Sequence, residues 1–519
     1  MHAKSQGENH YIHAISNESI YAILVPKFVV WRRVHTSMRK AKIVCTIGPA
    51  SSASATLSRL ITSGMNAARL NFSHGTHASH ASAITAIREA ADRHGSAVAI
   101  IQDLQGPRLR VGLLPKDGVE LTAGQVVRLR TSTESEDLSD AHVSPPPPLL
   151  EIPVTYPALT RDLRPGARVL INDGLIELLA DRIMDNRIDC TVIIGGKITS
   201  HKGINLPGTA VSAPTLTDKD RHDIQFGVEH GVDYVALSFV RGSQDIDAVR
   251  TLLAEHGSNI PIIAKIERAE AVQSLGEILN RADGVMIARG DLGVEMGPEA
   301  VPVLQKRIII EANRRRRLVI TATQMLESMT QATRPTRAEA SDVANAVFDG
   351  TDAVMLSAET AVGSYPVETV QVMDRIIRVA EEEAEPGIIL KRQTDLEDLS
   401  FPEAICTAAA SAAKSVAASA IVAFSEHGTT ARLISKQRPS APIIALTPFE
   451  PVRQQMALYW GVCSYATPQI EQTDARVEEA ERHLKSERLV KTGEKIVILS
   501  GTRVGQPGGT NLIKLHEVG

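Results

Sequence analysis

The chain has 519 residues, 43% hydrophobic but only 3% aromatic, with a formal net charge of −4 and a pI near 6.5. That length predicts roughly two to four domains with aliphatic cores, and the charge excludes a basic field for nucleic acid or a polybasic membrane arm. No apolar run reaches the roughly 18 residues of a membrane span, and Cys45, Cys190, Cys406 and Cys463 fit neither CxxC nor a disulfide framework, so reduced thiols in a cytoplasm are expected.

Residues 1–37 stand apart. Ile20 to Val34 mixes an apolar core with Pro26 and ends in Arg32 and Arg33. A secretory signal has its charges in the opposite order. A disordered stretch, or an extension from too early a start codon, is expected. From Lys42 short strands alternate with helical stretches. KIVCTIGP is strand and turn, with a helix from about Ser54 to Ser63. AARLNFSHG is the second strand, followed by a helix through Arg93, and VAIIQDLQG is the third.

The rhythm then breaks. From Pro107 to Asn205 no helical period is visible, and VVRLRTS, RVLINDG, LIELLADRI and RIDCTVIIGG read as strands. Asp173-Gly174 signals a hairpin. Ser144 to Pro148 reads as a stiff polyproline crossover. After this all-β insert, YVALSFV, IIAKIE, GVMIARG, LVITATQM and AVMLSAET supply five more strands with helix-length spacers. Three strands before and five after predict an α/β fold: a closed (β/α)8 barrel with its chemistry at the strands' C-terminal ends. Thr336 to Glu339 fits a capping box, and Arg314 to Arg317 reads as a helix end, where cations favour the dipole. Past about Glu385, an Ala-rich helix (Pro402 to Ala418) and the strands AIVAF, PIIAL and KIVILSG form a small α/β domain. The expected segments are 1–37, barrel 38–106, lid 107–205, barrel 206–384 and C-terminal domain 385–519.

Two neighbouring stretches carry the chemistry. Ile262 to Val272, IIAKIERAEAV, and Asp283 to Met296, DGVMIARGDLGVEM, each begin apolar and end in charge. A short apolar run is a strand buried on both faces. Glu267 and Asp291 offer hard oxygen ligands suited to Mg²⁺ or Mn²⁺ rather than zinc. Gly290 admits a ligand to the backbone, and the turn after it aims N–H groups at an anion. Lys265, two residues before Glu267, points to the same side of its strand. Taken singly, a Lys-x-Glu pair is usually surface and an Arg-Gly-Asp triplet usually a turn. Their joint placement at strand ends one βα unit apart favours a metal site.

These motifs, with ARLNFSHGTH, TATQMLESM, RPTRAEASDVANAV and DGTDAVMLSAETA in the same order, resemble pyruvate kinase from about Arg39 to the C-terminus. The resemblance implies a TIM barrel, a mobile β lid inserted after the third strand, a C-terminal effector domain and a homotetramer. It implies phosphoryl transfer from phosphoenolpyruvate to ADP, giving pyruvate and ATP, the last step of glycolysis. Glu267 and Asp291 then look like the Mg²⁺ ligands. Lys265 looks like the cation on the migrating phosphoryl group, and Arg69 like a second phosphoryl contact. A Lys265 contribution of two to three powers of ten in rate is about 3–4 kcal/mol. The backbone N–H groups of Gly290 and Asp291, with Thr323 Oγ1, resemble a carboxylate cradle. Thr323 and Ser357 would lie by the enolate, where a bound water must donate the proton. Asn71, His74, Arg110 and Lys202 resemble the nucleotide contacts, with Lys202 brought in by lid closure.

Two departures matter. The family's monovalent-cation site maps to Asn71, Ser73, Asp103 and the Leu104 carbonyl, and potassium-dependent members carry Glu where QDLQGPRLR puts Arg108. A guanidinium cannot lose its charge, and at about 4 Å in an effective dielectric near 20 it contributes roughly 4 kcal/mol against one anion. Arg108 is therefore expected to replace K⁺. In the C-terminal domain, Ser425 to Thr430, SEHGTT, opens a helix after a strand, and Ser425, Gly428, Thr429 and Thr430 form either a candidate phosphate cradle or a simple N-cap. Glu426 and His427 depart from a compact hydroxyl run. GTRVGQPGGTN is a candidate opposing loop. The effector would be a sugar phosphate or AMP. A metal-dependent pyruvate-enolate aldolase or lyase could use the same pair, but would need neither lid nor C-terminal domain. A catalytically dead sensor would not need the intact set Arg69, Lys265, Glu267, Asp291 and Thr323.

Overall fold

The computed structural model describes residues 38–131, 149–383, 399–470, 472–501 and 509–519. Residues 1–37, the polyproline run and most of the GTRVGQPGGTN loop lie outside the described residues. Eight parallel strands close a barrel: β1 (Lys42–Thr46), β2 (Ala67–Asn71), β3 (Ala99–Asp103), β4 (Tyr234–Leu237), β5 (Ile262–Ile266), β6 (Gly284–Ala288), β7 (Leu318–Ala322) and β8 (Ala353–Leu356), which pairs back onto β1. Each matches an apolar run in the sequence. Both faces are buried, and alternate residues serve two cores. Ile43 and Cys45 pack outward with the helices, while Val44 faces the barrel interior.

The capping box is present. Thr336 Oγ1 accepts from Glu339 N (3.2 Å) and the Glu339 carboxylate accepts from Thr336 N (2.7 Å), opening the helix Arg337–Asp349. The arginine run ends the helix Val301–Arg314, where Arg316 takes a positive φ of 58°. No helix among the described residues is long and apolar enough to cross a membrane.

Between β3 and β4 lies a six-stranded sheet, in the order Ile204–Asn205, Arg168–Ile171, Ile176–Met184, Arg187–Ile194, Val126–Thr131 and Leu150–Val154. The hairpin falls at Asp173-Gly174, with Asn172 and Asp173 at φ 56° and 55°. The insert also holds a one-turn helix, Leu159–Asp162. Four residues are too few to show a helical period, so no sign of it was legible beforehand. The C-terminal sheet has five strands, in the order Val462–Ala466, Ile443–Thr447, Ala420–Phe424, Lys495–Gly501 and Thr510–Glu517. The three strands read from the sequence are its centre. The outer two were missed because an edge strand keeps one wet face and loses the continuous apolar run.

The C-terminal sheet's connections plug the N-terminal end of the barrel. Ala457 and Leu458 join the barrel-interior core. Val98 N donates to Gln454 Oε1 (2.7 Å), Tyr234 Oη to Gln455 O (2.8 Å) and Lys42 Nζ to Val462 O (2.6 Å). Beside this plug, Lys436 Nζ donates to Asp352 Oδ2 and to Asn313 Oδ1 (2.9 Å), while Arg438 Nη2 lies 2.8 Å from Asp352 Oδ1. One buried carboxylate serves two cations. Burial drives the Lys436 ammonium down to about 7 in spite of Asp352, and Arg438 adds in the same direction. Between about 7 and the ordinary 10.5 the unfolded lysine therefore holds a proton that the folded one lacks, and stability should rise with pH. Lys436→Met should flatten that rise in urea midpoints measured from about pH 7 to about pH 9; an unaltered slope contradicts the assignment.

Candidate active site

The strand period of two builds the barrel mouth. Ala67, Ile101, Ala236 and Ile263 face the interior. Two residues further on, at the strands' C-terminal ends, stand Arg69, Asp103, Ser238 and Lys265, pointing the same way. Lys265 Nζ donates to Ser238 Oγ (2.7 Å) and lies 2.8 Å from Glu267 Oε1 and 3.3 Å from Asp103 Oδ1. Arg69 Nε donates to Asp103 Oδ2 (2.6 Å) and its Nη1 to Thr46 Oγ1 (3.1 Å). Ser238 Oγ in turn donates to Leu104 O (2.7 Å). Burial alone would lower the Lys265 pKa, but Asp103 and then Glu267 outweigh it and hold it above its ordinary value. Burial likewise opposes ionisation of Asp103, and Lys265 and Arg69 overcome it, keeping that carboxyl below its usual range. The result is a desolvated, fixed positive charge.

Glu267 follows β5, and its Oε2 accepts from Phe239 N (2.8 Å). Phe239 takes φ 57°, turning the chain off β4. Asp291 stands in the first turn of the helix Arg289–Met296. Burial, then the charge of Glu267, pushes its carboxyl up to about 6. Glu267 and Asp291 line one cavity between the mouth and the insert, with Pro107, Leu206 and Phe239. Burial is the larger cause of that shift and the Glu267 charge the second, and these two carboxyls, lining one cavity, are the oxygen donors that would hold a hard divalent cation. Among the described residues no third His, Cys, Asp or Glu completes a metal cluster. The remaining ligands would therefore come from substrate and water.

Gly290 N donates to Thr323 Oγ1 (2.9 Å), which itself donates to Ala322 O (2.7 Å). A Cβ on Gly290 would stand 3.7 Å from that hydroxyl, an ordinary van der Waals contact. Ser357 follows β8, and its Oγ is buried without a hydrogen-bond partner. Such an orphan is open to water or ligand. Ser357 N donates to Glu359 Oε2 (2.6 Å) and Leu326 N to Glu359 Oε1 (3.2 Å), tying together the loops after β7 and β8. Ser238, Phe239, Thr46 and Glu359 were not singled out in the sequence. For Ser238, its place at the end of YVALSFV was the available signal.

Asn71 Oδ1 accepts from Ser73 N (3.1 Å), and His74 N donates to Asn71 O (3.2 Å). Burial, then the charges of Arg110, Arg108 and Arg69, lowers the His74 pKa. Arg110 pairs with Gly203, and its Nη1 donates to His201 O (2.9 Å), beside Lys202 on the insert's return. Arg108 makes no hydrogen bond or ion pair with Asn71, Ser73, Asp103 or Leu104. Its charge acts on Asp291, and its guanidinium lies against Gly203. In the C-terminal unit, Ser425, Thr429 and Thr430 line one cavity with Arg476, a cation the sequence reading missed. Gly428 caps the helix Thr429–Lys436 at φ 75°, and a Cβ there would meet Tyr459 Oη at 3.3 Å.

A closed barrel whose mouth holds a buried ammonium, flanking carboxylates and Arg69 beside an inserted sheet has the makings of an enzyme for anionic substrates. The barrel-domain model of pyruvate kinase matches residues 38–370 and its alpha/beta-domain model residues 403–516. A pyruvate kinase of Geobacillus stearothermophilus is 45% identical, covering 92% of this chain and 80% of its own. One from Clostridium perfringens is 42% identical, covering 93% of this chain and all of its own. A solved pyruvate kinase from Cryptosporidium parvum superposes with TM-score 0.85 at 38% identity, covering 93% of this chain and 96% of that one. The chain belongs to the pyruvate kinase family. Its activity is phosphotransfer between phosphoenolpyruvate and ADP. The aldolase or lyase alternative finds no support in these matches.

Proposed function

We propose that phosphoenolpyruvate sits with its carboxylate on the Gly290 and Asp291 N–H groups and Thr323 Oγ1, beside a Mg²⁺ or Mn²⁺ ion held by Glu267 and Asp291. Bound there, the ion neutralises carboxylate and phosphoryl oxygens. Lys265 and Arg69 stabilise the phosphoryl group as its bond to the enol oxygen breaks and its bond to the ADP terminal phosphate forms. The enolate then takes a proton from a water held near Thr323 and Ser357, neither of which is an acid at neutral pH. Asn71, His74, Arg110 and Lys202 hold ADP, with the insert closing to bring Lys202 in. The observation that carries this reading is Lys265 Nζ at 2.8 Å from Glu267, in the same wall as Asp291.

Arg108 takes the place of K⁺ by its charge on the mouth, felt at Asp291 and His74. The Ser425–Thr430 cavity takes a phosphorylated effector, supported by Arg476 and the helix start at Thr429. Tetrameric assembly and a cytoplasmic setting accompany this reading, the latter supported by four cysteines that form no disulfide.

The direct test is ATP formation from phosphoenolpyruvate and ADP. Lys265→Met should lose about two to three powers of ten in turnover while Mn²⁺ titration is unchanged; near-normal turnover rejects the role. In buffer free of sodium and potassium the enzyme should keep its rate, and Arg108→Glu should become potassium-dependent. Activation of the unaltered enzyme by K⁺ of about tenfold or more, the scale of one ion contact, rejects the replacement.

A further inference from the structure

The residue before Gly290 is turned away from the mouth. Arg289 is 8% exposed, yet its guanidinium reaches the loop after β7. Nε donates to Ala322 O (3.2 Å) and Thr323 O (3.2 Å), and Nη2 to Thr323 O (2.7 Å) and Gln324 O (3.3 Å). Three consecutive carbonyls are gathered by one planar fork. On its far side, Nη1 meets Asp342 Oδ2 at 2.7 Å and Gln305 Oε1 at 3.3 Å. Asp342 and Gln305 come from the helices Arg337–Asp349 and Val301–Arg314, so the fork is anchored from behind.

The gathered loop is strained. Thr323 and Gln324 both take left-handed φ, 67° and 54°. That region is disfavoured for any residue with a Cβ, most of all a β-branched one. Two such residues in succession need an outside hold. The same backbone places Thr323 Oγ1 at 2.9 Å from Gly290 N. Arg289 thus touches both sides of the cradle: covalently at Gly290, and through three carbonyls at Thr323.

We propose that Arg289 is a positioning residue for the substrate carboxylate, holding the Thr323–Gln324 turn in the left-handed form that aims Thr323 Oγ1 into the cradle. This rests on the reading of the mouth as the phosphoenolpyruvate site. Lysine cannot replace it, because one ammonium cannot span three carbonyls and still fork to Asp342.

The test is steady-state kinetics of Arg289→Lys and Arg289→Gln with each substrate varied. kcat/KM for phosphoenolpyruvate should fall by about tenfold or more, through KM, while KM for ADP stays within about twofold. Gln324→Gly should recover most of the loss in the Arg289→Gln background, because glycine takes positive φ freely. In a Thr323→Ala background, Arg289→Gln should cost less than about threefold, since the hydroxyl it places is gone. A merely structural arginine would give neither the glycine rescue nor the substrate split. Equal losses for both substrates, an unchanged KM for phosphoenolpyruvate, or full additivity with Thr323→Ala overturns the proposal. Should Arg289→Gln not fold, Asp342→Asn, which frees the fork from its anchor, must show the same split. An unaltered enzyme that forms no ATP overturns the reading of the mouth and this proposal together; one that forms ATP while the split is missing overturns only this one.

Discussion

Lys265 Nζ lies 2.8 Å from Glu267 Oε1 and 3.3 Å from Asp103 Oδ1, with 12% of the lysine side chain exposed. A lone ammonium at that depth would cost several kcal/mol and lose its proton. It persists because Asp103 is itself flanked by Arg69 at 2.6 Å, so two cations and two carboxylates share one buried layer. Asp291 adds a third acid to an already balanced group, and burial, then the charge of Glu267, pushes its carboxyl up to about 6. In the proposed reading, a divalent cation held by Glu267 and Asp291 would offset that excess and leave room for a substrate carrying both a carboxylate and a phosphate.

The rest of the chain keeps this layer in place. The mouth sits at the strands' C-terminal ends, where a barrel can vary its loops without disturbing its core. The opposite end is filled by Ala457 and Leu458 from the C-terminal unit and fastened by Asp352 with Lys436 and Arg438. The helix Thr429–Lys436 runs between two sites of consequence. Thr429 and Thr430 line the C-terminal cavity at its start, and Lys436 meets Asp352 at its end. Asp352 immediately precedes β8, whose far end leads into Ser357.

The barrel was legible because a strand buried on both faces must read as an unbroken apolar run, as in IIAKI and GVMIA. Lys265 and Glu267 were legible for the same reason: a charge two residues past an inward apolar position still points inward. The edge strand Thr510–Glu517 was not, since polar residues fall on both of its faces, Asn511 and Glu517 on one and Lys514 and His516 on the other. Arg289 was in plain view within ARGD, yet spacing gives no sign that its side chain turns back to Ala322, Thr323 and Gln324. That contact depends on two positive-φ residues without a glycine between them, a conformation no local pattern announces. Ser238 escaped because a lone serine at a strand end is common, and its value lies in the ammonium 2.7 Å away on the next strand.

In the proposed reading two acids, contributed by consecutive strand ends, bind one ion next to the buried ammonium. Mn²⁺ titration followed by electron paramagnetic resonance, on the unaltered enzyme and on Glu267→Gln and Asp291→Asn, reads this without turnover. Each substitution alone should weaken Mn²⁺ binding by about tenfold or more, and the double variant should be little worse than either, as expected for ligands of one site. Tight Mn²⁺ binding that survives both substitutions would contradict the account.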